Sequence, residues 1–371
     1  MKVGILGAGQ LARMLIQSGQ KLGLQFTTFA PERSPCVEGL AEQQVAQFLD
    51  KEKLQSFFDA HDRITYDWEN LSVTTLRGIR ECEKKLFPSL YVLEIIANRY
   101  RQKKFLNSLG IPTAPHALIT EESALMDAVQ TLGLPGILKT NQLGYDGKGQ
   151  KRLRYLGECQ TAWAELGRSE LEYESWVPFQ RELSLIACRS VRGEEKFYPL
   201  AENHHVQGVL SETIAPAPVT ESMQKVAESY AQKIFQAVDY VGVLVLELFE
   251  TSAALLVNEM ASRVHNSGHW TIEGAETSQF ENHLRAGLGL ELGGSQALGH
   301  TAMRNIIGNW QGTEQIQEVF PDIVVHDYLK ESRPGRKLGH LTLQGKTHEQ
   351  LIQNLQTLRS FLAAHGPKEA V

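Results

Sequence analysis

The first thirty residues follow an order of apolar runs and glycines that is typical of a β-α-β unit. Residues 2–6 (KVGIL) are a short apolar run that predicts a buried strand. From Gln10 to Leu22 apolar residues recur at roughly helical spacing, and Gly23 marks the end of that helix. Residues 24–29 predict a second strand. This order indicates a parallel, doubly wound sheet at the N-terminus.

Later patterns predict a mixture of helices and antiparallel strands. Strands are predicted over 63–66, 137–139, 171–177, 182–188 and 197–200, and helices over 53–59, 71–85, 89–98, 102–109, 221–238 and 279–288. Two apolar runs, Val241 to Phe249 and Ala254 to Asn258, are separated by a short polar turn and predict a β-hairpin. Pro112 and Pro115 mark a domain boundary, and a smaller C-terminal unit begins near His300.

Length and composition place the chain among ordinary globular proteins. With 371 residues, it is long enough for two or three domains at roughly 150 residues each. Hydrophobic residues make up 42% and charged residues 22%, which excludes a disordered chain, a collagen-like fibre and a small disulfide scaffold. The formal net charge of −6 argues against nucleic-acid binding driven by charge, so any anion must be bound by locally gathered cations.

Cysteine usage and hydropathy predict a cytoplasmic protein without membrane association. The four cysteines include no C-x-x-C pair and have no histidine at zinc-ligand spacing, so they are expected to be plain thiols in a reducing compartment. The longest strongly apolar run, Val241 to Leu246, is far shorter than the ~20 residues of a membrane span. The glycine-rich N-terminus lacks the features of a signal peptide.

The turn Gly7-Ala8-Gly9 lies between a predicted strand and a predicted helix, where backbone N–H groups favour an anion. Ala12 takes the third glycine position of the dinucleotide fingerprint, where alanine is tolerated. A nicotinamide site and a tight turn without a ligand are therefore both open.

Lys139 and the following loop predict a phosphate site. A lysine on a strand can bind a phosphate as a point charge, and the glycines of residues 143–149 can donate backbone N–H groups to phosphate oxygens. Asp146 within the loop is suited to an amine or a ribose hydroxyl. The alternative is a flexible surface loop.

Glu247 and Glu259 are carboxylates within otherwise apolar strands. Burial of an ionised carboxylate is costly unless it is paired or bound to a metal. On neighbouring strands, and with Asn258 beside them, these residues would suit Mg²⁺. A solvent-exposed face of an edge strand is the alternative.

Two polar segments follow. Residues 263–270 (RVHNSGHW) bring a cation, two imidazoles, an amide and a hydroxyl together beside the acidic strand, which suits a small oxyanion. Residues 330–340 (KESRPGRKLGH) place four cations around a Pro-Gly turn, which indicates either an anion clamp or a solvated loop.

Together these segments resemble the ATP-grasp superfamily and, more narrowly, the N5-carboxyaminoimidazole ribonucleotide synthetases of purine biosynthesis. The motifs that carry the resemblance are GAGQLARM, TYDWEN, GYDGKGQ, NEMASRVHNSGHWT and RPGRKLGH, in this order along nearly the whole chain. Leu143, Ala12 and Ser262 depart from the usual motifs without removing a charged group. The nearest rival is the formate-dependent glycinamide ribonucleotide transformylase, against which HNSGHWT and RPGRKLGH argue. A nicotinamide-dependent oxidoreductase and a non-catalytic regulator are two further hypotheses.

The resemblance implies an α/β and α+β fold of three parts. These are a Rossmann-like pre-ATP-grasp domain over 1–112, a two-lobed ATP-grasp module over 113–299 and a small C-terminal domain over 300–371. It implies a ligase that converts ATP, bicarbonate and 5-aminoimidazole ribonucleotide, through carboxyphosphate, into N5-carboxyaminoimidazole ribonucleotide, ADP and phosphate. It further implies Mg²⁺ (or Mn²⁺), a homodimer, and a downstream mutase as pathway partner.

The resemblance also assigns roles to individual residues. ATP would contact Arg99, Lys139, Gly144, Tyr145, Asp146, Gly147, Lys148, Gly149, Glu174, Ser175, Trp176, Val177, Glu182, His205, Asn258 and Glu259. The metal would be held by Glu247 and Glu259. Bicarbonate and carboxyphosphate would contact the catalytic residues Arg263, His265 and Asn266, with Asp146 orienting or deprotonating the amine. The ribonucleotide would contact Gln10, Leu11, Glu69, Asp146, Lys330, Arg336 and Lys337, its phosphate lying at the Gly7–Gly9 turn and the C-terminal clamp.

Overall fold

The computed structural model describes residues 1–142, 149–167, 170–308 and 313–365. Four strands, all paired in parallel, form the N-terminal sheet in the order β3-β2-β1-β4, as the first apolar runs predict. The elements of this part are β1 (Lys2–Leu6), α1 (Gln10–Gln20), β2 (Gln25–Ala30), β3 (Glu42–Val45), α2 (Lys51–Ala60), β4 (Arg63–Tyr66), α3 (Val73–Arg77), α4 (Cys82–Lys85), α5 (Leu90–Ile96) and α6 (Arg99–Ser108). This is the Rossmann-like arrangement expected of the first domain.

The single helix predicted over 71–85 is wrong, because the structure has α3 and α4 in its place. Gly78 ends α3, and Glu81 adopts a left-handed conformation with φ of +60°. A residue at positive φ cannot continue a right-handed helix, and the apolar spacing alone does not reveal this break.

A small antiparallel sheet follows, in the order β5-β8-β6-β7. Its elements are β5 (His116–Ile119), α7 (Glu122–Leu132), β6 (Gly136–Thr140), β7 (Gln150–Leu153), α8 (Cys159–Glu165) and β8 (Leu171–Ser175). Leu138 and Tyr173 are fully buried where the two helices pack on the sheet. Residues 143–148, which connect β6 to β7, lie outside the described residues.

The remaining described strands form one antiparallel sheet in the order β14-β13-β9-β11-β12-β15-β17-β16, with β10 paired to β9. Its elements are β9 (Arg181–Arg189), β10 (Glu195–Phe197), β11 (Ala201–Val206), β12 (Val209–Ala215), α9 (Glu221–Val238), β13 (Gly242–Glu250), β14 (Leu255–Ala261), α10 (Thr271–Gly274), α11 (Gln279–Leu288), β15 (His300–Ile307), α12 (Thr313–Val319), β16 (Val324–Asp327), β17 (Lys337–Gly345) and α13 (His348–His365). The predicted hairpin is confirmed as β13 and β14. The strand predicted over 197–200 is wrong, because β10 ends at Phe197 and β11 begins at Ala201.

The N-terminal part is joined to the large sheet through buried contacts of α1 and β4. Met14 and Leu15 share one hydrophobic core with Phe280 and Leu284 of α11. His283, on the same helix, is 2.7 Å from the Thr65 hydroxyl and accepts a 3.0 Å hydrogen bond from the Val243 N–H. These contacts bring the end of β4 against the β13–β14 hairpin, where the candidate side chains converge.

Candidate active site

Glu247 and Glu259 lie directly opposite each other on the antiparallel strands β13 and β14. Side chains at opposed positions share one face of a sheet, so both carboxylates face the same cleft. The register shifts next to this pair and leaves Asn258 as an extra residue in β14. Such a bulge redirects a side chain, and it places Asn258 beside the two carboxylates.

The donor set of this pair fits a hard divalent cation. Mg²⁺ is usually held by one or two carboxylates together with substrate phosphates rather than by an all-protein cage. In the described part of the chain no cluster of three or more His, Cys, Asp or Glu residues could hold a metal alone. Glu247, Glu259 and Asn258 are therefore the residues that would hold the ion with help from a nucleotide.

Basic side chains contact both carboxylates. Arg99, the first residue of α6, forms an ion pair with Glu259, which raises the pKa of the arginine. His265 Nε2 lies 3.2 Å from Glu247. Burial opposes ionisation of Glu247, but His265, His205 and Lys337 outweigh it and lower the pKa of Glu247 to about 2. Glu247 is thus an anion at neutral pH, as a metal ligand must be.

A second histidine–glutamate pair lines the same cleft. His205 Nδ1 is 2.8 Å from Glu182 Oε2, across the adjacent strands β11 and β9. Burial opposes protonation of His205, but the Glu182 carboxylate outweighs it and raises the pKa of the histidine. The structure therefore brings together Glu182, His205 and Glu247, which the sequence assigned to the nucleotide and the metal.

The segment after β14 is fixed to the N-terminal part by Glu69. The Ser262 N–H donates a 2.8 Å hydrogen bond to Glu69 Oε1, and Arg263 Nε forms an ion pair of 3.0 Å with Glu69 Oε2. The Ser262 hydroxyl is 2.7 Å from the buried Tyr66 hydroxyl. Arg263 Nη1 donates to the Val264 carbonyl at 3.1 Å. The guanidinium of Arg263 is thereby held between Glu69 and the Val264 carbonyl.

Asn266, predicted to bind the oxyanion, is engaged by another amide. Its Nδ2 donates to Asn305 Oδ1 at 3.0 Å, and Asn305 Nδ2 donates to Asn266 Oδ1 at 2.7 Å. Asn305 belongs to β15, so this pair ties the candidate oxyanion segment to the C-terminal strands. Only the second N–H of the Asn266 amide is left for an anion.

Lys139 lies on β6 of the small sheet and is buried. Its ammonium donates a 2.8 Å hydrogen bond to Glu174 Oε2, and Lys103 of α6 forms an ion pair with the other oxygen of Glu174. Burial lowers the pKa of Lys139. Burial opposes ionisation of Glu174, but the two lysines outweigh it and hold the pKa of this carboxyl well below its usual range. Lys139 thus has an internal carboxylate partner before any phosphate arrives.

Ser175, Trp176 and Val177, which the resemblance also assigns to ATP, follow directly after Glu174. The Ser175 hydroxyl donates to the Leu132 carbonyl at 3.1 Å, and the Trp176 N–H donates to the Pro135 carbonyl at 3.0 Å. The Arg152 guanidinium lies 3.9 Å from the centroid of the Trp176 ring, a distance typical of a cation–π contact. Val177, the next residue, is buried.

The glycine turn at the start of α1 already binds an internal anion. Asp67 Oδ2 accepts hydrogen bonds from the N–H groups of Gly9 at 2.7 Å and Ala12 at 3.3 Å. Asp67 therefore occupies these two N–H groups, and the expectation that the turn receives the ribonucleotide phosphate stays a prediction. A nicotinamide site is disfavoured for the same reason.

The C-terminal clamp reaches α1 through Lys330, whose ammonium donates to Gln10 Oε1. Burial lowers the pKa of Lys330. Arg336 Nη1 donates to the Glu331 carbonyl at 3.3 Å, while Lys337 lies close enough to Glu247 to favour its ionised form. Leu11 is buried in the core, so its side chain is not available to a substrate.

Part of the predicted nucleotide loop lies outside the described residues, and some important residues were not predicted. The residues outside are Gly144, Tyr145, Asp146, Gly147 and Lys148, whereas Gly149 is described at the start of β7 with φ of +72°. Sequence reasoning missed Lys103, Glu172, Tyr66 and Asp67 as parts of the site. Tyr66 and Asp67 stand inside the TYDWEN motif, which was the available signal; Lys103 lies in a helix with no motif. In the described residues, no helix combines the length and apolar character needed to cross a membrane.

Three family models match the chain in succession. Residues 1–97 match the ribonucleotide synthetase preATP-grasp domain, residues 104–280 the ATP-grasp domain, and residues 301–354 the phosphoribosylaminoimidazole carboxylase C-terminal domain. The three-part architecture is therefore confirmed. The boundaries expected at residues 112 and 299 stay predictions.

Relatives match over almost the entire chain. The N5-carboxyaminoimidazole ribonucleotide synthase of Pseudomonas aeruginosa is 42% identical, covering 98% of this chain and 100% of the relative. The crystal structure of the synthetase from Thermus thermophilus has a TM-score of 0.91 and 44% identity, covering 96% of this chain and 98% of that one. The Aspergillus clavatus enzyme, in complex with ADP and 5-aminoimidazole ribonucleotide, has a TM-score of 0.89 and 30% identity, covering 98% of both chains.

Proposed function

The chain belongs to the N5-carboxyaminoimidazole ribonucleotide synthase family of ATP-grasp enzymes, and we propose that it carboxylates 5-aminoimidazole ribonucleotide with bicarbonate at the expense of ATP. The products would be N5-carboxyaminoimidazole ribonucleotide, ADP and phosphate. Formate-dependent acylation is not favoured, because the HNSGHWT and RPGRKLGH motifs and the matched C-terminal family model all belong with the carboxylases.

One observation carries the proposal: His265 of the candidate oxyanion segment lies 3.2 Å from Glu247 of the candidate metal pair. Bicarbonate at Arg263 and His265 would therefore lie next to the phosphates of a bound nucleotide. Activation of bicarbonate requires this adjacency, because its oxygen must reach the γ-phosphorus while the developing charge is neutralised.

ATP would occupy the cleft between the small and the large sheets. Lys139 would bind a phosphate, residues 174–177 would contact adenine, and Glu182 would bind the ribose hydroxyls. Arg99 and His205 would contact the phosphates, a role that their proximity to Glu259 and Glu247 supports. Glu247 and Glu259, with Asn258, would hold Mg²⁺ or Mn²⁺. When bound, that ion would neutralise phosphate charge in the transition state.

The reaction would proceed in two displacements. A bicarbonate oxygen held by Arg263 and His265 attacks the γ-phosphorus, ADP leaves, and carboxyphosphate forms. The exocyclic amine of the ribonucleotide then attacks the carboxyphosphate carbon and loses a proton, and phosphate leaves. Asp146, outside the described residues, is our proposed partner of that amine. Water must be excluded throughout, because carboxyphosphate is readily hydrolysed.

The ribonucleotide would lie between the N-terminal part and the C-terminal clamp. Lys330 contacts Gln10 and lies near Arg336 and Lys337, which supports this location, and Glu69 would contact the ribonucleotide from the N-terminal part. We further propose that the enzyme is a cytoplasmic homodimer whose unstable product passes to a mutase. The cytoplasmic assignment is supported by four cysteines that are all unpaired thiols.

The proposal is tested by following carbon from labelled bicarbonate. The purified protein is incubated with Mg·ATP, ¹³C-bicarbonate and 5-aminoimidazole ribonucleotide, and the products are observed at once by ¹³C NMR. A carbamate signal that requires both ATP and the ribonucleotide is expected. ADP formation with ¹³C-formate in place of bicarbonate, and none with bicarbonate, would overturn the proposal.

A further inference from the structure

Four charged side chains are buried together beneath the candidate ATP cleft. Lys103, Lys139, Glu172 and Glu174 have side-chain exposures of 3%, 9%, 0% and 4%. Glu172 and Glu174 are two residues apart on β8 and therefore point to one face of the sheet. Lys103 pairs with Glu174 and lies 4.0 Å from Glu172. Only Lys139 and Glu174 of these four are explained by the proposed ATP site.

The Lys139 ammonium cannot pair fully with Glu174 and with a nucleotide phosphate at the same time. In this structure its ammonium is 2.8 Å from Glu174. When Lys139 turns to a nucleotide phosphate, Glu174 needs another cation, because an unpaired buried carboxylate is costly. Lys103 already contacts the second oxygen of Glu174 and can supply that charge.

The protonation state of Glu172 sets how strongly the two carboxylates attract the Lys139 ammonium. When Glu172 is neutral, Lys103 and Glu174 balance each other and Lys139 is free to bind a phosphate. When Glu172 is ionised, two buried carboxylates share Lys103, and the excess negative charge attracts Lys139 back. In the described residues no donor hydrogen-bonds to the Glu172 carboxyl oxygens, so no hydrogen bond stabilises the ionised form of this buried group.

We propose that Lys103 and Glu172 are positioning residues of the ATP site, Lys103 by holding Glu174 when Lys139 moves to the nucleotide, and Glu172 by remaining neutral as it does so. This inference rests on the proposed nucleotide site at Lys139 and Glu174. Neither Lys103 nor Glu172 needs to touch the nucleotide.

The surroundings of Glu172 support a change of charge near neutrality. Burial raises the pKa of Glu172 to about 7, against the opposing effect of Lys103 and with a further rise from Glu174. Besides Lys139 within the cluster, the charged or titratable groups of the described residues that face it are Arg99 of α6 and His116 of β5. Since nucleotide binding favours neutral Glu172, binding should weaken as pH rises through 7.

The test compares ADP binding, with Mg²⁺ in excess, to the wild-type protein and to Glu172→Gln at pH 6.0 and pH 8.5 by calorimetry. The pH dependence of ADP itself cancels in the ratio of the two Kd values. If binding raises the pKa of Glu172 by about one unit, the ratio of wild-type to variant Kd grows about sevenfold between the two pH values. Glu221→Gln, on the exposed start of α9, is the matched control and should leave the ratio at one.

A second test uses Lys103 variants and does not depend on the protonation state of Glu172. Lys103→Met should weaken ADP binding at least tenfold, because Lys139 alone then pairs with Glu174, and Lys103→Arg should restore most of the affinity. Lys104→Met, on the exposed side of the same helix, is the control for removal of a lysine. If Lys103→Met does not fold, the ADP affinities of Lys103→Arg and Glu172→Gln still test the two positioning roles.

The outcomes distinguish the nucleotide site from the positioning roles. Wild-type protein that binds no ADP would remove the proposed nucleotide site and this inference with it. Wild-type binding with the same pH dependence in Glu172→Gln would overturn the inference alone, as would a Lys103→Met protein of native stability and unchanged Kd.

Discussion

The carboxylate of Asp67 caps helix α1 by accepting a 2.7 Å hydrogen bond from the backbone N–H of Gly9. A Cβ on Gly7 would lie 1.5 Å from Asp67 Oδ1, so the first glycine of the turn makes room for this carboxylate. The glycine turn that suggests a dinucleotide site thus binds the carboxylate of an aspartate of the same chain. The turn joins β1, α1 and β4 at the edge of the candidate site.

Asp67→Ala is expected to reduce the free energy of unfolding by about 1–2 kcal/mol, because the change leaves the N-terminal N–H groups of α1 without their acceptor. Urea unfolding at neutral pH measures this. Asp59→Ala serves as the control, since that exposed carboxylate makes only surface contacts with Arg80 and Gln55 and its loss should change stability by less than ~0.5 kcal/mol. Equal effects of the two changes would contradict the capping role.

Glu69→Gln is expected to raise KM for bicarbonate about tenfold while leaving KM for ATP nearly unchanged. The charged partner of Arg263 is lost, so the guanidinium is no longer held toward the oxyanion. Steady-state kinetics with each substrate varied in turn separates the two constants. Glu94→Gln, which removes only surface ion pairs with Arg77 and Arg101, should change neither. A parallel rise in both constants would argue against a specific role at bicarbonate.

Lys139→Met is expected to lower kcat/KM for ATP at least a hundredfold, since a preorganised cation at a phosphate is worth several kcal/mol. Its fold should persist because Lys103 still pairs with Glu174. Lys151→Met, at an exposed ion pair on β7, provides the comparison for loss of a lysine near the same loop. Retention of normal ATP kinetics in Lys139→Met would refute the assignment of this lysine to ATP.

Acid should destabilise the protein partly through His283. This histidine is fully buried between Thr65 and Val243, and burial lowers its pKa from 6.5 to about 3. Its stabilising contribution is therefore complete above pH 6.5 and is lost as pH falls toward 3, because the unfolded chain takes up the proton first.

Between pH 6.5 and pH 5.0 that contribution amounts to about 2 kcal/mol. Urea unfolding at the two pH values should show a smaller loss of stability in His283→Gln than in the wild type by this amount. His204→Gln, on the exposed face of β11, should retain the wild-type difference. An unchanged pH dependence in His283→Gln would show that the buried imidazole is not responsible.

The sequence predicts the fold well wherever the pattern is local. The β1–α1–β2 unit and the β13–β14 hairpin follow directly from apolar periodicity, as does α11. The break between α3 and α4 depends on the backbone of Glu81, which residue spacing does not encode. The C-terminal strands β15, β16 and β17 were not predicted, because they extend a sheet whose other strands are distant in sequence.

Some residues of the candidate site could likewise be predicted from local sequence pattern, and others could not. Glu247 and Glu259 could be predicted because a carboxylate in an apolar strand is anomalous, and the register confirms that they are opposed. Lys103 and Glu172 could not, since their significance comes from a buried contact between a helix and a sheet. The contact of the Gly7–Gly9 turn with Asp67 could not be predicted, because Asp67 follows another strand, 58 residues from Gly9 in sequence.

The central claim is tested most directly by ADP formation from Mg·ATP in the presence of bicarbonate, with and without 5-aminoimidazole ribonucleotide. The account predicts a strong rise that requires the ribonucleotide, does not occur when formate replaces bicarbonate, and is lost in Glu247→Gln and Glu259→Gln proteins that remain folded. Folded wild-type protein that binds ATP but shows no ribonucleotide-dependent ADP formation would contradict it.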